Sequence, residues 1–147
     1  MLITDSKKLR RMSHTWEGTD EELEKLVDDM GATMEDNKGI GIAAIQIGVP
    51  VRVFIAEYKL FVNPKVKKLS PHKKKHWEQC LSCKKTNVRT SRSSKITLQY
   101  DTIVEGKWQR NVEETFSGWS AVIVQHELDH LNGFLITDRG KAYYANK

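Results

Sequence analysis

SGWSAVIVQHELDHL, residues 117–131, is the stretch from which the rest of this chain can be interpreted. Its apolar turn at residues 122–124 predicts a buried helix, and Gly133 is a typical residue just beyond a helix end. His126 and His130 are four residues apart, so both imidazoles project from one helical face and can bind one metal ion. Glu127 lies beside them, where a carboxylate can exchange protons with water at that metal. The sequence therefore predicts a helix that carries a catalytic metal site.

A catalytic site of this type needs a third protein ligand. No Glu and no His follows His130, which excludes the thermolysin-like arrangement, and Ile136 stands where a metzincin would have its third histidine. The ligand must therefore come from upstream, where the candidates besides several carboxylates are Cys80, Cys83, His72, His76 and His14.

Cys80 and Cys83 need to be distinguished. In an extended segment, residues an odd number apart point to opposite faces, and the tight turn that would bring the two thiols together usually has Gly nearby. We therefore interpret Cys80 as the third ligand and Cys83 as a small buried side chain. A closed zinc site of both cysteines and both histidines, in a binding module without catalysis, stays open as an alternative, as does a different metallohydrolase.

The remaining elements predict an α+β fold. Thr19 and Glu22 form a capping box before a helix over residues 20–35, whose apolar residues repeat at helical spacing. Predicted strands cover residues 51–56, 60–62, 96–104 and 107–112, with Asn63-Pro64 as a stop signal and Glu105-Gly106 as a hairpin turn. Strands and helices are segregated along the chain, so we expect antiparallel sheets packed around a central helix that carries the histidines.

Length and charge limit the function further. A chain of 147 residues fits one domain, here residues 1–147, and no apolar stretch approaches the roughly 18 residues of a membrane helix. We expect a cytoplasmic protein without membrane or specific DNA binding. The net charge is +5, and between Lys65 and Lys95 the only acid is Glu78. This basic 65–95 segment is expected to be a solvated loop that could weakly contact ribosomal RNA.

Three separated motifs resemble the peptide deformylase family. GIGIAAIQ at residues 39–46, EQCLS at residues 78–82 and QHELDH at residues 125–130 stand in the order and spacing of that family. Gln79 replaces the usual Gly of the second motif, and Ile45 stands where the first usually has a small residue or Pro. Without the longer C-terminal helix of many bacterial members, the chain resembles the short phage-type members, which implies a bacterial or phage-infected host cytoplasm.

The resemblance implies a mechanism and a substrate. Cys80, His126 and His130 would bind one divalent metal ion, Fe²⁺ in the cell, with Zn²⁺ or Ni²⁺ as possible replacements. Glu127 would deprotonate metal-bound water, which attacks the formyl carbon of nascent formyl-methionyl peptides, and the oxyanion would be stabilised by Gln46 and the Leu81 backbone N–H. The expected substrate-binding residues are Ile40, Gly41, Gln79, Trp119, Val122 and Ile123. Arg92 falls where the family often has an arginine and is expected to pair with Glu78.

Overall fold

The computed structural model describes residues 1–144, except for the side chains of residues 84–85 and 141–144. Three α-helices and eight strands are present in this range, together with 3₁₀ turns at Ala44–Ile47 and Ile136–Asp138. The helices are α1 (Ser6–Leu9), α2 (Asp20–Asp36) and α3 (Gly118–Leu131). The strands are β1 (Gly41–Ala43), β2 (Val53–Ala56), β3 (Lys59–Leu69), β4 (Lys73–Cys80), β5 (Cys83–Ser93), β6 (Lys95–Val104), β7 (Lys107–Ser117) and β8 (Gly140–Tyr144).

The strands form two antiparallel sheets around α3. The larger sheet has the order β1-β2-β3-β6-β7 and the smaller one the order β4-β5-β8, so β1 and β4 are edge strands. Helix α3 packs against strands of both sheets and is buried on nearly all sides. The predicted α+β class, with antiparallel sheets around the helix of the two histidines, is therefore confirmed.

The larger sheet is covered on both faces, which explains why all four residues of β2 are buried. Side chains alternate between faces along a strand, so Phe54 and Ala56 face the core under α3 while Val53 and Ile55 face α2. Helix α2 begins at the predicted capping box, in which Thr19 and Glu22 exchange side-chain to backbone hydrogen bonds. Gly133 follows α3 with a φ of +81°, which agrees with its predicted place beyond the helix end.

The basic 65–95 segment is not a loop. It contains the second half of β3, all of β4 and β5, and the first residue of β6. The prediction was wrong because most of the charges lie on solvent-facing positions of strands, and because the buried face of β4 and β5 carries polar residues such as Glu78, Thr90 and Arg92. Apolar alternation, the usual signal of a strand, is therefore missing there.

Two predicted strand ends also lie too early. Strand β3 continues through Asn63-Pro64 with a register shift, and the Asn63 side chain there hydrogen-bonds both the N–H and the carbonyl of Trp16. Strand β7 continues beyond residue 112 to Ser117 and leads directly into α3. Within residues 1–144, no helix is both long enough and apolar enough to span a membrane.

Candidate metal centre

One cysteine and two histidines come together where β4 meets α3. Cys80 is the last residue of β4, and His126 and His130 lie on successive turns of α3. Their candidate ligand atoms all lie within 4.8 Å of one another, with Cys80 Sγ 3.3 Å from His130 Nε2. The two imidazole centroids are 5.1 Å apart. This spacing fits three donors around one ion.

Cys83 lies close to this group without belonging to it. The chain makes a tight turn at Leu81-Ser82 and pairs Cys80 with Cys83 across the β4–β5 hairpin, although no glycine is present. The argument that the two residues face opposite ways was therefore wrong, because it assumed an extended segment. Cys83 was also expected to be buried, but its side chain is only half-buried. Nevertheless, the ligand group formed by the described residues has three members and does not include Cys83.

A buried carboxylate orients His126. Its Nδ1 donates a hydrogen bond of 3.0 Å to Glu78 Oε1, which leaves Nε2 for a metal. Arg92 donates to both oxygens of Glu78 at 2.8 Å, so the pairing expected from the sequence is confirmed. Burial acts to raise the pKa of Glu78, but the hydrogen bonds from Arg92 and His126 outweigh it and hold the pKa at about 2.

The ion pair extends to a residue that the sequence analysis missed. Asp129, on α3 between the two histidines, accepts hydrogen bonds from Arg92 at 2.5 Å and from Arg139 at 2.9 Å. Thr90 also donates to Glu78. Arg92 thus joins the smaller sheet, which carries Cys80, to the helix that carries the two histidines. The role of Asp129 as an acceptor for Arg92 and Arg139 is visible only in the folded structure. In the sequence, an Asp beside a His in a helix does not indicate which cation it will bind.

Glu127 is buried against β1. A Cβ added at Gly41 would lie 2.5 Å from Glu127 Oε2 and 3.2 Å from the carbonyl oxygen of Ile55, so a larger residue at position 41 would displace this carboxylate. Burial raises the pKa of Glu127 to about 7. Among the residues described, Glu127 Oε1 has no hydrogen-bond partner, which is costly for a buried polar atom unless another group binds there.

Gln46 is held with its amide nitrogen toward the cysteine. It lies in the 3₁₀ turn Ala44–Ile47 and is buried, and its Oε1 accepts a hydrogen bond of 2.9 Å from the Ala43 N–H. This bond fixes the amide orientation, so Nε2 donates to Ser82 Oγ at 3.1 Å and approaches Cys80 Sγ at 3.7 Å. Ser82 is a second residue that the sequence analysis did not single out.

A cleft of about 760 Å³ opens beside these residues. This volume is in the usual range for small-ligand sites. Leu81 and the candidate ligands Cys80 and His126 reach it, as do Glu127 and Gln46. All the residues expected to bind substrate line it: Ile40, Gly41, Gln79, Trp119, Val122 and Ile123. Val122 and Ile123 are buried, whereas Ile40 and Trp119 are about half exposed at the mouth.

The donor set suits a divalent transition metal. A thiolate with two imidazoles is a known ligand combination for such ions, and three protein ligands leave further positions open. Glu127 Oε1 is a buried polar atom without a partner among the described residues, as expected beside a site that binds an ion and water. The residues present therefore fit a catalytic metal ion.

Comparison with known proteins agrees with this chemistry. The family model described as polypeptide deformylase matches residues 1–144. A peptide deformylase from Rhizobium meliloti (strain 1021) is 38% identical over 147 residues, which cover 94% of this chain and 82% of that protein. The crystal structure of the Thermotoga maritima peptide deformylase superposes with a TM-score of 0.87 at 32% identity, covering 96% of this chain and 97% of that one.

A further solved structure is the peptide deformylase of Acinetobacter baumannii with Met-Ala-Ser bound. It superposes with a TM-score of 0.84 at 30% identity and covers 95% of this chain and 96% of that one. The family match spans nearly the whole chain, and the identity to the curated relative extends over most of both sequences. The chain therefore belongs to the polypeptide deformylase family of metal-dependent hydrolases, enzymes that remove N-formyl groups.

Proposed function

We propose that the chain hydrolyses the formamide of nascent formyl-methionyl peptides with one divalent ion bound by Cys80, His126 and His130. The observation that carries this proposal is the group of three ligand atoms within 4.8 Å, open to a cleft on which Glu127 also lies. Four protein ligands would close such a site, whereas three leave room for water and substrate. The Met-Ala-Ser complex of the Acinetobacter relative supports a peptide substrate that begins with methionine.

Iron(II) is the proposed ion in the cell, and zinc or nickel could replace it. When bound, such an ion supplies a Lewis acid and makes a coordinated water more acidic. Glu78 serves the site by fixing the Nδ1–H tautomer of His126, so that Nε2 presents its lone pair to the ion. Arg92 in turn holds Glu78 ionised at a position that is almost fully buried.

Glu127 is the proposed proton carrier. Its carboxylate takes a proton from the attacking water and later delivers it to the leaving amine of methionine, so the acid and base steps use one group. Gly41 allows this, because its missing side chain leaves the space that the carboxylate occupies. Gln46 Nε2 and the Leu81 backbone N–H are the proposed donors to the formyl oxygen, on which negative charge develops as water attacks the formyl carbon. The hydrogen bond from Ala43 to Gln46 preorganises the first of these donors.

The methionine side chain is assigned to the apolar part of the cleft. Val122 and Ile123 lie four and three residues before His126, so they reach the same side of α3. Ile40, Gly41 and Trp119 complete the pocket, and Gln79 borders the backbone beyond it. Because β4 is an edge strand, the substrate can run beside it in an extended conformation.

The proposed substrate also indicates the cellular compartment in which the protein acts. We assign the protein to the bacterial or phage-infected host cytoplasm, where formyl-methionyl chains emerge from ribosomes. Weak contact of the basic 65–95 segment with ribosomal RNA stays a prediction from charge alone. Phosphate contacts of this type weaken with salt, so sedimentation with ribosomes at two salt concentrations would test it.

Formate release from formyl-Met-Ala-Ser tests the proposed function. The protein is purified anaerobically, its metal content is measured, and formate is followed with formyl-Met-Ala-Ser and acetyl-Met-Ala-Ser in parallel. We expect about one metal per chain, hydrolysis of the formyl peptide, and little or none of the acetyl peptide. A rate that is equal for both peptides, or internal peptide cleavage, would favour a different metallohydrolase.

A further inference from the structure

The outward face of β4 forms a basic and aromatic strip next to the cleft. Side chains alternate along β4, so Glu78 and Cys80 point inward while Lys73, Lys75, Trp77 and Gln79 point outward and are exposed. Arg89 is paired with Trp77 on β5, and its guanidinium lies 5.3 Å from the indole centroid. We name Lys73, Lys75, Trp77 and Arg89 the β4 strip.

No exposed acidic residue of β4 or β5 balances the positive charge of this strip. The only acid between Lys65 and Lys95 is Glu78, and that carboxylate is buried and already bonded to Arg92 and His126. Neither β4 nor β5 therefore offers an exposed carboxylate to the strip. A surface with cations of one sign attracts anionic groups, and the attraction weakens with salt.

The strip is continuous with the proposed substrate path. Trp77 and Gln79 line the cleft that also contains Cys80, and β4 is the edge strand that leads away from it. An extended chain rises by about 3.3 Å per residue, whether it belongs to β4 or to a peptide beside it. A peptide whose formyl group lies near Cys80 would therefore pass Lys75 and Lys73 with about its fourth to seventh residues.

We propose that the β4 strip selects formyl-methionyl peptides that carry acidic side chains at about the fourth to seventh residues. This inference rests on the proposed function and adds a substrate class to it. The contacts are remote from the reacting bond and equal in the ground and transition states, so they lower KM and leave kcat unchanged. The rival occupant is the phosphate backbone of RNA, which the same cations would attract. Continuity with the cleft favours the peptide.

The test uses three formyl-Met heptapeptides that differ only in carrying Glu, Gln or Lys at positions four, five and seven. Formate release is measured at about 10 mM and about 1 M salt, where the Debye length is about 30 Å and about 3 Å. In the wild type, kcat/KM for the Glu peptide should exceed that for the Gln peptide about three- to tenfold at low salt, as expected for a few exposed ion pairs. The kcat/KM for the Lys peptide should be lower than for the other two, and high salt should remove the differences among the three peptides.

A matched pair of triple variants locates the effect. Lys73→Gln/Lys75→Gln/Arg89→Gln should abolish the preference for Glu. Lys65→Gln/Lys67→Gln/Lys68→Gln removes the same charge from exposed positions of β3 in the other sheet. This variant should keep the preference for the Glu peptide. Both variants should hydrolyse formyl-Met-Ala-Ser like the wild type. A tripeptide that begins near Cys80 ends near Trp77, which neither variant changes, and does not reach Lys75 or Lys73. Arg89 lies on β5, on the far side of β4 from its free edge.

Several results would overturn the inference. Equal kcat/KM for the Glu and Gln peptides at low salt would do so, as would equal loss of preference in both triple variants, which indicates net charge alone. Binding of a labelled RNA that is lost only in the β4 variant, with peptide preference unchanged, would assign the strip to RNA. If no formyl-Met peptide were hydrolysed, formyl-Met-Ala-Ser included, the proposed function itself would fail and this inference with it.

Discussion

The two faces of β4 share one backbone but differ in burial, charge and hydrogen bonding. The inward face presents Glu78 and Cys80, which are almost fully buried, and Glu78 is bonded to Arg92 and His126. The outward face presents Lys75, Trp77 and Gln79 to solvent. A strand with a period of two can therefore hold a buried catalytic group and an exposed recognition surface within 3.3 Å or so of rise. Substitutions on the inward face should abolish chemistry or folding, and those on the outward face should only adjust affinity.

The largest effect is expected from the ligand on the inward face. Cys80→Ala should lose the metal and all activity, because two imidazoles alone bind a divalent ion far more weakly. Cys83→Ala should retain both, since Cys83 lies across the hairpin but outside the ligand group. Metal stoichiometry of the two purified variants decides the matter. Equal loss of metal in both would favour the closed four-ligand site and contradict the enzyme interpretation.

A smaller but still large effect is expected from the ion pairs. Arg92→Met leaves Glu78 and Asp129 buried without their cation and should lower the free energy of unfolding by about 3–5 kcal/mol. Arg89→Met, three residues away on the exposed face of β5, should cost less than about 1 kcal/mol. Urea unfolding with a chelator present compares the two without a contribution from metal binding. Similar costs at both positions would show that the inward network does not hold the smaller sheet against α3.

The comparison of faces also explains what the sequence could predict. The histidines of α3 and Glu127 follow from helical spacing, and Cys80 from its motif, because these signals are local. Strand β4 and the hairpin turn at Leu81-Ser82 could not be predicted, since the inward face is a polar network and the outward face is lysine-rich. Neither face shows the apolar alternation on which strand prediction depends. The role of Asp129 depends on Arg92, which is distant in sequence, so only tertiary structure reveals it.

The pocket substitutions test the methionine assignment. Ile123→Trp or Val122→Trp should fill the apolar part of the cleft and lower kcat/KM on formyl-Met-Ala-Ser by about tenfold or more, mainly through KM. Overpacking costs only about 1–3 kcal/mol, so the proteins should remain folded with metal bound. Val104→Trp, at an exposed position of the β6–β7 hairpin, is the control. Unchanged KM and kcat in a folded, metal-loaded pocket variant would place methionine elsewhere.

The smallest effect is expected on the outward face beside the cleft. Gln79 donates a hydrogen bond of 2.5 Å to Asn87 across the β4–β5 hairpin, where the family usually has glycine. Gln79→Gly removes a side chain from the substrate edge and should lower KM for formyl-Met-Ala-Ser by no more than about threefold, with kcat unchanged. Asn87→Ala keeps Gln79 but removes its hydrogen-bond partner. Comparing the two variants distinguishes the effect of losing this hydrogen bond from the effect of losing the Gln79 side chain. A large fall in kcat for Gln79→Gly would mean that this residue acts on the chemistry.

Glu127→Gln is the most direct test of the metal-dependent deformylation proposed here. The amide keeps the size of the carboxylate next to Gly41 but cannot accept the proton of the attacking water. Formate release and metal-to-protein ratio are measured on the same anaerobic preparation. We expect a metal content equal to that of the wild type and a rate lowered by about 10²–10⁴-fold, the usual contribution of a positioned acid–base group. A metal-loaded variant that kept more than about a tenth of the wild-type rate would contradict the role assigned to Glu127 and, with it, the mechanism.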